Sequence, residues 1–289
     1  MLIALVAGCS GEKAGTPVDT KKENKSQNNN AANTPKLFVI QNKEKSVMRS
    51  MTGVTSIVAD NQGQLFAQKG KGALYTLKNK KWEAVNKKVN ALYGTPTGLY
   101  YTRSTKKNNN VLFRYSGSEK AIPSKDIIDV ASSRSQTYVL RAKEGKTTVL
   151  ALNNDKLSSF GGGQIKDIEV VGNTLLAVKN NGSLFSANNG NWNSMKTNNV
   201  IAVDGYGSTT VALRKLKSGK TKAFLYNNNK WSALPGQDII DIAVDASGII
   251  YCLRKDKKVF YVENDKLKGI GINGVSNLNS TPRGKVLAY

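Results

Sequence analysis

Residues 54–85 read VTSIVADNQGQLFAQKGKGALYTLKNKKWEAV, four short apolar runs separated by polar turns. The first run begins with an apolar pair three residues apart, Val54 and Ile57, and the other runs are GQLFA (residues 63–67), ALYTL and KWEAV. Runs of this length, rich in Leu, Val, Ile and Tyr and bounded by Asn, Gly and Lys, are typical of strands joined by tight turns. We therefore interpret this stretch as a unit of four antiparallel strands.

The same unit recurs along the chain. The apolar pair is found again at Val89/Leu92, Ile127/Val130, Ile165/Ile168, Val200/Val203, Ile239/Ile242 and Val275/Leu278, with successive periods of 35, 38, 38, 35, 39 and 36 residues. Regular spacing of this size indicates a repeat protein in which each repeat is one small sheet.

The seventh copy is divided between the two ends of the chain. It stops after two strands at Tyr289, whereas residues 36–51 (KLFVIQNKEKSVMRSM) have the pattern of a third and fourth strand with their turn. A ring closed by its own termini leaves few exposed strand edges. We predict an all-β, seven-bladed β-propeller over residues 36–289, with 37–40 paired to the stretch ending at Tyr289. The alternative is an open β-solenoid or a pair of sandwiches.

Composition agrees with this prediction. The 289 residues are 39% hydrophobic with 26 Gly, which suits many strands and turns, and the length allows a substantial core. No run approaches the roughly 18 to 20 apolar residues that a bilayer-spanning helix needs.

The N-terminus indicates a cellular location. A short apolar stretch ends in Val6-Ala7-Gly8-Cys9-Ser10, which resembles the lipobox of bacterial lipoproteins. The resemblance implies that residues 1–8 are a truncated signal peptide and that Cys9 becomes a lipidated first residue. The stretch lacks a basic n-region and is shorter than usual. Either the starting Met is internal to a longer reading frame, which the flanking composition favours, or the match is accidental.

Residues 9–35 are predicted to form a disordered tether behind the lipid. Their Lys, Asn, Ser, Gln and Thr content cannot bury enough apolar surface to fold. A coil of this length reaches on the order of 30 Å. We expect a protein anchored to the extracytoplasmic face of the membrane in the bacterial cell envelope.

Several chemistries are excluded or unsupported. The chain has no His, which excludes His-based triads and His-ligated zinc, and it has no P-loop, EF-hand or Cys cluster. Besides Cys9 the only cysteine is Cys252, which cannot form an internal disulfide with a lipidated partner and is expected to be a buried core residue. We predict no cofactor, no metal site and no enzymatic activity.

Carboxylates at the starts of the predicted first strands are the residues that could still form a metal or catalytic site. They are Asp126, Asp129, Asp167, Glu169, Asp238 and Asp241. Because innermost strands line a propeller channel, these groups are candidates for a cation site or an acid/base pair. The alternative, which we expect, is capping of turns and solvated strand ends.

The charge distribution is the strongest functional signal. The formal net charge is +23, of which residues 1–35 carry only +1. Connections between second and third strands are consistently basic, with 17 cations against Glu144 and Asp256. The predicted anion-binding residues in these connections are Lys106, Lys107, Lys143, Lys146, Arg214, Lys215, Lys217, Lys220, Arg254, Lys255, Lys257 and Lys258.

These connections are predicted to share one face. In four-stranded antiparallel blades, second-to-third connections emerge together with the links between blades, whereas the turns DNQG, TPTG, VGN, GYGS and DASG lie opposite. A third strand beginning near Lys36 places the tether on the same basic face. Positive charge that is clustered on one face creates an electrostatic field that concentrates anions. The predicted partners are an anionic membrane surface, a wall polymer or a glycan, or else the lysines only maintain solubility.

The repeat pattern G-x-LY/LF, turn, LY, turn, W-x-x-Φ over residues 36–289 resembles tectonin-type propeller repeats. That resemblance implies lectin-like or pattern-binding activity. Its Trp occurs in three copies, at Trp82, Trp192 and Trp231, which are candidates for glycan stacking, although we expect them to pack between blades. Val47, Ala121, Leu157 and Leu267 stand near the corresponding place in the other copies.

The sequence thus predicts a non-catalytic, lipid-anchored binding or scaffold protein, acting as a monomer. The alternatives are a protein–protein assembly platform at the envelope and a propeller enzyme that uses channel carboxylates. A nucleic-acid partner is not expected, because few aromatic residues are interleaved with the basic loops and the predicted compartment is wrong.

Overall fold

The structure, a computed structural model, describes residues 36–48 and 51–289. Within these ranges all regular structure is β, in seven four-stranded antiparallel sheets. The predicted seven-bladed β-propeller is therefore confirmed. The predictions for the signal peptide, Cys9 and the tether lie outside the described residues.

The strands follow the repeat, four to a blade. Blade 1 contains β3 (Val54–Ala59), β4 (Leu65–Lys69), β5 (Ala73–Lys78) and β6 (Lys81–Lys88). Blade 2 contains β7 (Ala91–Thr95), β8 (Gly98–Arg103), β9 (Val111–Tyr115) and β10 (Glu119–Ala121). Blade 3 contains β11 (Ile127–Ser132), β12 (Thr137–Lys143), β13 (Lys146–Asn153) and β14 (Lys156–Gly161).

The second half of the ring repeats this order. Blade 4 contains β15 (Ile165–Val171), β16 (Thr174–Lys179), β17 (Leu184–Asn188) and β18 (Asn191–Ser194). Blade 5 contains β19 (Val200–Tyr206), β20 (Thr209–Lys215), β21 (Thr221–Asn227) and β22 (Lys230–Ala233). Blade 6 contains β23 (Ile239–Val244), β24 (Ile250–Arg254), β25 (Lys258–Glu263) and β26 (Lys266–Asn273).

Blade 7 joins the two ends of the chain. It contains β27 (Leu278–Ser280), β28 (Val286–Ala288), β1 (Leu37–Gln41) and β2 (Glu44–Met48), in the sheet order β2-β1-β28-β27. Phe38 lies opposite Ala288, and Ile40 lies opposite Val286. The predicted pairing of the N-terminal strand with the C-terminal one is confirmed.

The core lies between the blades. Seven clusters of buried side chains each combine residues of two neighbouring sheets, such as Val211 of blade 5 with Ile242 of blade 6. The last cluster joins Leu37 and Leu287 of blade 7 to Ile57 and Leu65 of blade 1. Every blade is therefore packed against two neighbours, and the ring is closed.

A β-bulge explains the apolar pair in five of the seven repeats. In a regular strand, residues three apart point to opposite faces. The pairing register shifts between Ile127 and Asp129, and equivalent shifts occur in β3, β15, β19 and β23. The extra residue brings both Ile127 and Val130 into the core, so a spacing of three is correct for a strand that carries a bulge.

Turn chemistry sets the two faces of the disc. Six of the seven turns between third and fourth strands have a two-residue centre that begins with Asn and has positive φ at both positions. Asn154 (φ 48°) and Asp155 (φ 61°) are one example. This is the tight turn that matches strand twist. These turns lie on the same face as the first-to-second turns, which we call the turn face; second-to-third connections and links between blades form the opposite, basic face.

Candidate functional site

The basic face is built from the second-to-third connections. They comprise residues 70–72, 104–110, 144–145, 180–183, 216–220 and 255–257. The lysines predicted to bind anions in and beside them are all exposed, namely Lys106, Lys107, Lys143, Lys146, Lys215, Lys217, Lys220, Lys255, Lys257 and Lys258. The structure thus brings these ten predicted residues to one face.

The two predicted arginines are held differently. Arg214 stacks 4.3 Å from the ring centre of Phe224, and its Nε donates to the carbonyl of Asn198 at 3.0 Å. Arg254 lies 5.4 Å from the ring centre of Phe260. Both are half-buried, so their guanidinium groups form part of the blade surface rather than projecting from it.

The cation over an aromatic ring is a repeated contact that sequence reasoning missed. Arg103 over Phe113 and Lys179 over Phe185 complete the set, at 4.3 and 4.4 Å. In blades 2, 4, 5 and 6 a cation stands at the end of the second strand and a Phe stands in the third. That pairing is visible in the repeat alignment and could have been found from it.

Cations of the basic face are sparsely neutralised. Lys143 lies 3.3 Å from Glu144, whereas Arg254 and Lys258 lie only 3.9 and 4.0 Å from Asp256. A further pair joins Arg103, at the end of β8, to Glu119 at 2.7 Å. The pairs with Glu144 and Asp256 are exposed. Exposed pairs of this kind stabilise little, so most of the positive charge remains available to a ligand.

The turn face also carries lysines, which the sequence analysis did not count. They flank the third-to-fourth turns, and several pair with nearby acids: Lys43 and Lys268 both contact Glu263, and Lys120 lies 2.6 Å from Asp155. Acidic residues therefore neutralise more of the positive charge on the turn face than on the basic face.

The chain enters the disc from the basic face. Lys36 is exposed and directly precedes β1, a third strand that begins on that side. The predicted geometry at the entry point is therefore confirmed for the described residues, while Cys9 itself lies outside them.

The central channel is a second candidate site. The innermost strands and the first-to-second turns line a cavity of about 590 Å³. Its lining includes turn residues such as Pro96, Gly172 and Pro282, so the cavity opens on the turn face. The carboxyl groups in its wall are those of Asp129, Asp167, Glu169, Asp204 and Asp241.

Most of these carboxylates bridge neighbouring blades. Asp129 accepts a hydrogen bond from the amide of Ile168 in the next blade at 3.0 Å, and Asp241 accepts one from Leu278 at 2.7 Å. Asp204 accepts from the amide of Val244 at 3.2 Å, and also from the Ser280 hydroxyl at 2.6 Å. Each also accepts from the amide of the residue that follows it.

Other side chains continue this ring of contacts. The Tyr93 hydroxyl donates to the carbonyl of Ile128, Lys166 Nζ donates to that of Val200, and Asn279 Nδ2 donates to that of Ile57. Blades 1 and 2 instead approach closely at Gly94, where an added Cβ would lie 2.0 Å from the Ala59 carbonyl oxygen. The polar wall of the channel is therefore also the inner seam of the ring.

The channel raises the pKa values of its acids. Burial raises the pKa of the Asp241 carboxyl to about 6. Burial also raises the pKa values of Asp129, Asp167, Glu169 and Asp204, and neighbouring carboxylates raise those of Asp129, Glu169 and Asp204 further. Two carboxyl groups that are both buried in one channel wall disfavour each other's charged form, which is the reason that the Asp167 charge raises the pKa of Asp129.

The six acids predicted from the sequence divide into two groups. Asp129, Asp167, Glu169 and Asp241 line the channel. Asp126 and Asp238 instead directly precede innermost strands with φ of 59° and 58°, outside the channel lining, and their capping role stays a prediction. Asp204 was missed, although it directly follows the apolar pair of its repeat as Glu169 does. No group of three or more acidic or cysteine side chains among the described residues is arranged to hold a metal ion.

The three tryptophans pack between blades. Trp192 lies edge-on to Phe160 of the preceding blade, with ring centres 6.0 Å apart. Trp231 donates its Nε1 hydrogen to the carbonyl of Met195, also in the preceding blade, at 2.9 Å. Trp82 packs against the cluster that contains Leu287 of blade 7. This agrees with the expected packing role, and glycan stacking stays a prediction.

Cys252 is fully buried within the cluster between blades 5 and 6. Burial raises the pKa of its thiol to about 12, which keeps it protonated and unreactive. Its predicted role as a core residue is confirmed. None of the described residues forms a helix that could cross a bilayer.

Comparison with solved structures supports the fold. The chain is similar to Prp20p from Saccharomyces cerevisiae (10% identity, 88% of this chain and 90% of that chain, TM-score 0.60). It is also similar to the WD40 β-propeller domain of Doa1 (11% identity, 83% and 91%, TM-score 0.56). A third similar structure is the β-propeller domain of the Trilobed protease from Pyrococcus furiosus, which has an open velcro topology (12% identity, 78% and 86%, TM-score 0.58).

No family model matches the chain, and no curated protein matches it. At these identities the similar structures establish the propeller fold alone. The pairing of β1 with β28 distinguishes this chain from the open topology of the third structure.

Proposed function

We propose that this protein is a non-catalytic binding protein of the bacterial cell envelope, and that its basic face binds a phosphate-bearing or otherwise anionic surface. The observation that carries the proposal is the set of ten exposed lysines that share one face with the point where the chain enters the disc. Lipid headgroups, wall polymers and anionic glycans all have the required chemistry.

Anchoring through Cys9 is part of the same proposal. A single lipid chain gives only marginal attachment, and a basic patch is the usual second contribution. Each cation close to an anionic surface contributes about 1 kcal/mol. A tether that enters at the basic face favours presentation of that face to the membrane, so anchor and charge act together.

The test compares two sets of lysines in full-length protein whose lipidation is prevented by Cys9→Ser. One variant replaces Lys215, Lys217, Lys220 and Lys255 by Gln; the matched control replaces Lys81, Lys156, Lys230 and Lys266, which are exposed on the turn face without ion pairs to other described residues. Both variants lower the net charge by the same amount.

We expect the first variant to lose at least about tenfold in association with anionic vesicles at low salt, and the control to lose much less. Wall-polymer and glycan arrays probed with the same proteins identify the source of the anion. Equal losses in the two variants, or equal binding to neutral and anionic vesicles, would contradict the proposal.

The channel provides the second candidate function, an acid/base site. The presence of Asp129 and Asp167 in one cavity wall, both with raised pKa values, favours it. We propose that the channel carboxylates are structural, because Asp129 accepts a backbone hydrogen bond from Ile168 across one blade seam and Asp241 accepts one from Leu278 across another. A hydrolytic activity abolished by Asp167→Asn, in protein that remains folded, would overturn this assignment.

An assembly platform for envelope proteins is the alternative use of the disc. Prp20p is a similar structure whose binding properties to Gsp1p and histones have been described. Crosslinking in cells followed by purification tests this alternative: partners recovered equally with the wild-type protein and the basic-face variant would favour it over anion binding.

A further inference from the structure

Three isoleucines are exposed at the centre of the basic face. Ile128, Ile201 and Ile240 are 40%, 40% and 45% exposed, whereas the apolar residues on either side of each bulge are buried. Each is the second residue of an innermost strand, at its basic-face end. The innermost strands surround the central channel, so these residues lie near the centre of the basic face, and none of them lines the cavity itself.

The fold does not require isoleucine at this position. The equivalent residues of the other repeats are Thr55, Asn90, Lys166 and Ser276. Thr55 and Lys166 stand in strands with the same bulge, which shows that neither the bulge nor blade packing needs an apolar side chain there. Exposed apolar residues that the fold does not need are typical of interaction surfaces.

The isoleucines form an arc and are not scattered. Blades 3 to 6 are consecutive around the ring, and their innermost strands contact one another in turn. Their second residues are therefore Ile128, Lys166, Ile201 and Ile240, in that order. The arc occupies one side of the ring of innermost strands, and Lys166 lies between Ile128 and Ile201 in it.

Backbone hydrogen bonds join the residues just before each isoleucine to the end of the second strand of the same blade or to the basic connection directly after it. Two residues before Ile201 the carbonyl of Asn199 accepts from the amide of Lys215, and two residues before Ile240 the carbonyl of Asp238 accepts from Lys255, at 2.9 and 2.8 Å. The carbonyl of Asp126 accepts from Ala142 in the same way before Ile128. Apolar tips and exposed cations are thus parts of one surface.

We infer that this surface docks on an anionic lipid bilayer, with the three isoleucines inserted between headgroups and the surrounding lysines on phosphates. This inference rests on the proposed function and selects its partner. A soluble wall polymer would contact the cations alone, whereas a bilayer offers an acyl boundary to the isoleucines as well. The charge of the face and its apolar centre match that combination.

The test uses full-length Cys9→Ser protein with vesicles of phosphatidylglycerol and phosphatidylcholine. The triple variant Ile128→Ser, Ile201→Ser, Ile240→Ser places at these positions a residue that blade 7 already carries at Ser276. The matched control is Val47→Ser, which removes a 62% exposed valine from the outermost strand of blade 7. Circular dichroism verifies that both are folded.

We expect the triple variant to lose roughly tenfold or more in vesicle partitioning while its binding to soluble polyphosphate is unchanged, and the control to match the parent protein. Ile240→Trp provides an independent readout, because its added fluorescence should be quenched by bromine-labelled acyl chains. If the lysine variant loses vesicle binding but the isoleucine variant does not, the inference fails and anion binding stands. If neither variant changes vesicle binding, both fail.

Discussion

Burial and hydrogen bonding have opposite effects on the pKa values of the channel carboxylates. Asp241 accepts amide hydrogen bonds from Ile242 and Leu278, which favour its charged form, yet burial raises its pKa to about 6. Burial therefore exceeds hydrogen bonding in its effect on the charged form. The inner seam of the ring holds acids that are easier to protonate when the protein is folded.

This predicts an unusual pH dependence of stability. A carboxyl whose folded pKa exceeds its unfolded value of about 4 binds more protons in the native state, so stability decreases as pH rises through that range. We expect the melting temperature to be about 5 °C higher at pH 5 than at pH 8. The pKa values of Glu119, Asp155 and Glu263 are lowered in the folded protein. The stability that these three groups contribute is lost only as the pH falls below their unfolded pKa values, which lie below the range from pH 5 to pH 8.

Asp241→Asn should reduce this pH dependence, because the variant has no proton to gain at the site. Asp265→Asn, in an exposed turn between β25 and β26, serves as the control and should keep the wild-type slope. Thermal scans of the three proteins from pH 5 to pH 8 provide the measurement. A slope for Asp241→Asn equal to that of the wild-type protein would contradict the assignment.

Two tryptophans offer a matched comparison of hydrogen bonding. Trp231→Phe removes the bond from Nε1 to the Met195 carbonyl and should destabilise the protein by about 1–2 kcal/mol. Trp192 Nε1 is buried with no hydrogen-bond partner among the described residues, so Trp192→Phe should cost less or be neutral. Urea unfolding measures both, and the opposite order would show that ring packing dominates.

At the scale of elements, the split blade closes the ring. β1 is the third strand of blade 7 and lies between β28 and β2, so the two ends of the chain share one sheet. Contacts that close it join residues more than 200 positions apart, such as the amide of Lys43 with the Tyr251 hydroxyl at 3.0 Å. The propeller therefore depends on a short N-terminal hairpin.

Ile40→Ala tests that dependence. Ile40 is fully buried opposite Val286, and its truncation should destabilise the protein by about 2–5 kcal/mol. Val47→Ala in the neighbouring strand alters an exposed side chain and should change stability by less than about 0.5 kcal/mol. Denaturant unfolding of both variants gives the comparison, and similar small effects would mean that the closure contributes little.

At the scale of the whole molecule, the charge is organised by topology. Second-to-third connections that are far apart in sequence reach one face because every blade repeats the same up-and-down order. The turn face carries its own lysines, but ion pairs with Glu263 and Asp155 reduce their effect. The molecule is therefore cationic mainly on the side where the chain enters.

The dependence of vesicle association on ionic strength should distinguish electrostatic attraction by the basic face from short-range contacts. The Debye length decreases from about 10 Å at 0.1 M salt to about 3 Å at 1 M, so association with anionic vesicles through lysines should weaken at least tenfold over that range. Co-sedimentation at several salt concentrations measures this effect. The basic-face lysine variant should show a shallower salt dependence than the control with four turn-face substitutions.

The sequence by itself determined the number of blades, the strand order and the split closure, because these depend on local periodicity, turn residues and the length of the repeat. It also placed the basic connections on one face, since an antiparallel blade leaves no other arrangement. Strand ends followed within a few residues, as for β4, where the sequence indicated 63–67 and the strand is Leu65–Lys69.

Only the tertiary structure decided what the side chains of the innermost strands do. The bulge after Ile127 sends Ile128 to solvent and Asp129 into the channel, and a one-residue shift in register would exchange those directions. Asp204 became a channel residue, and Arg214 a stacked one, through partners in other strands. Side-chain direction depends on register and on neighbouring blades, which no local window of sequence contains.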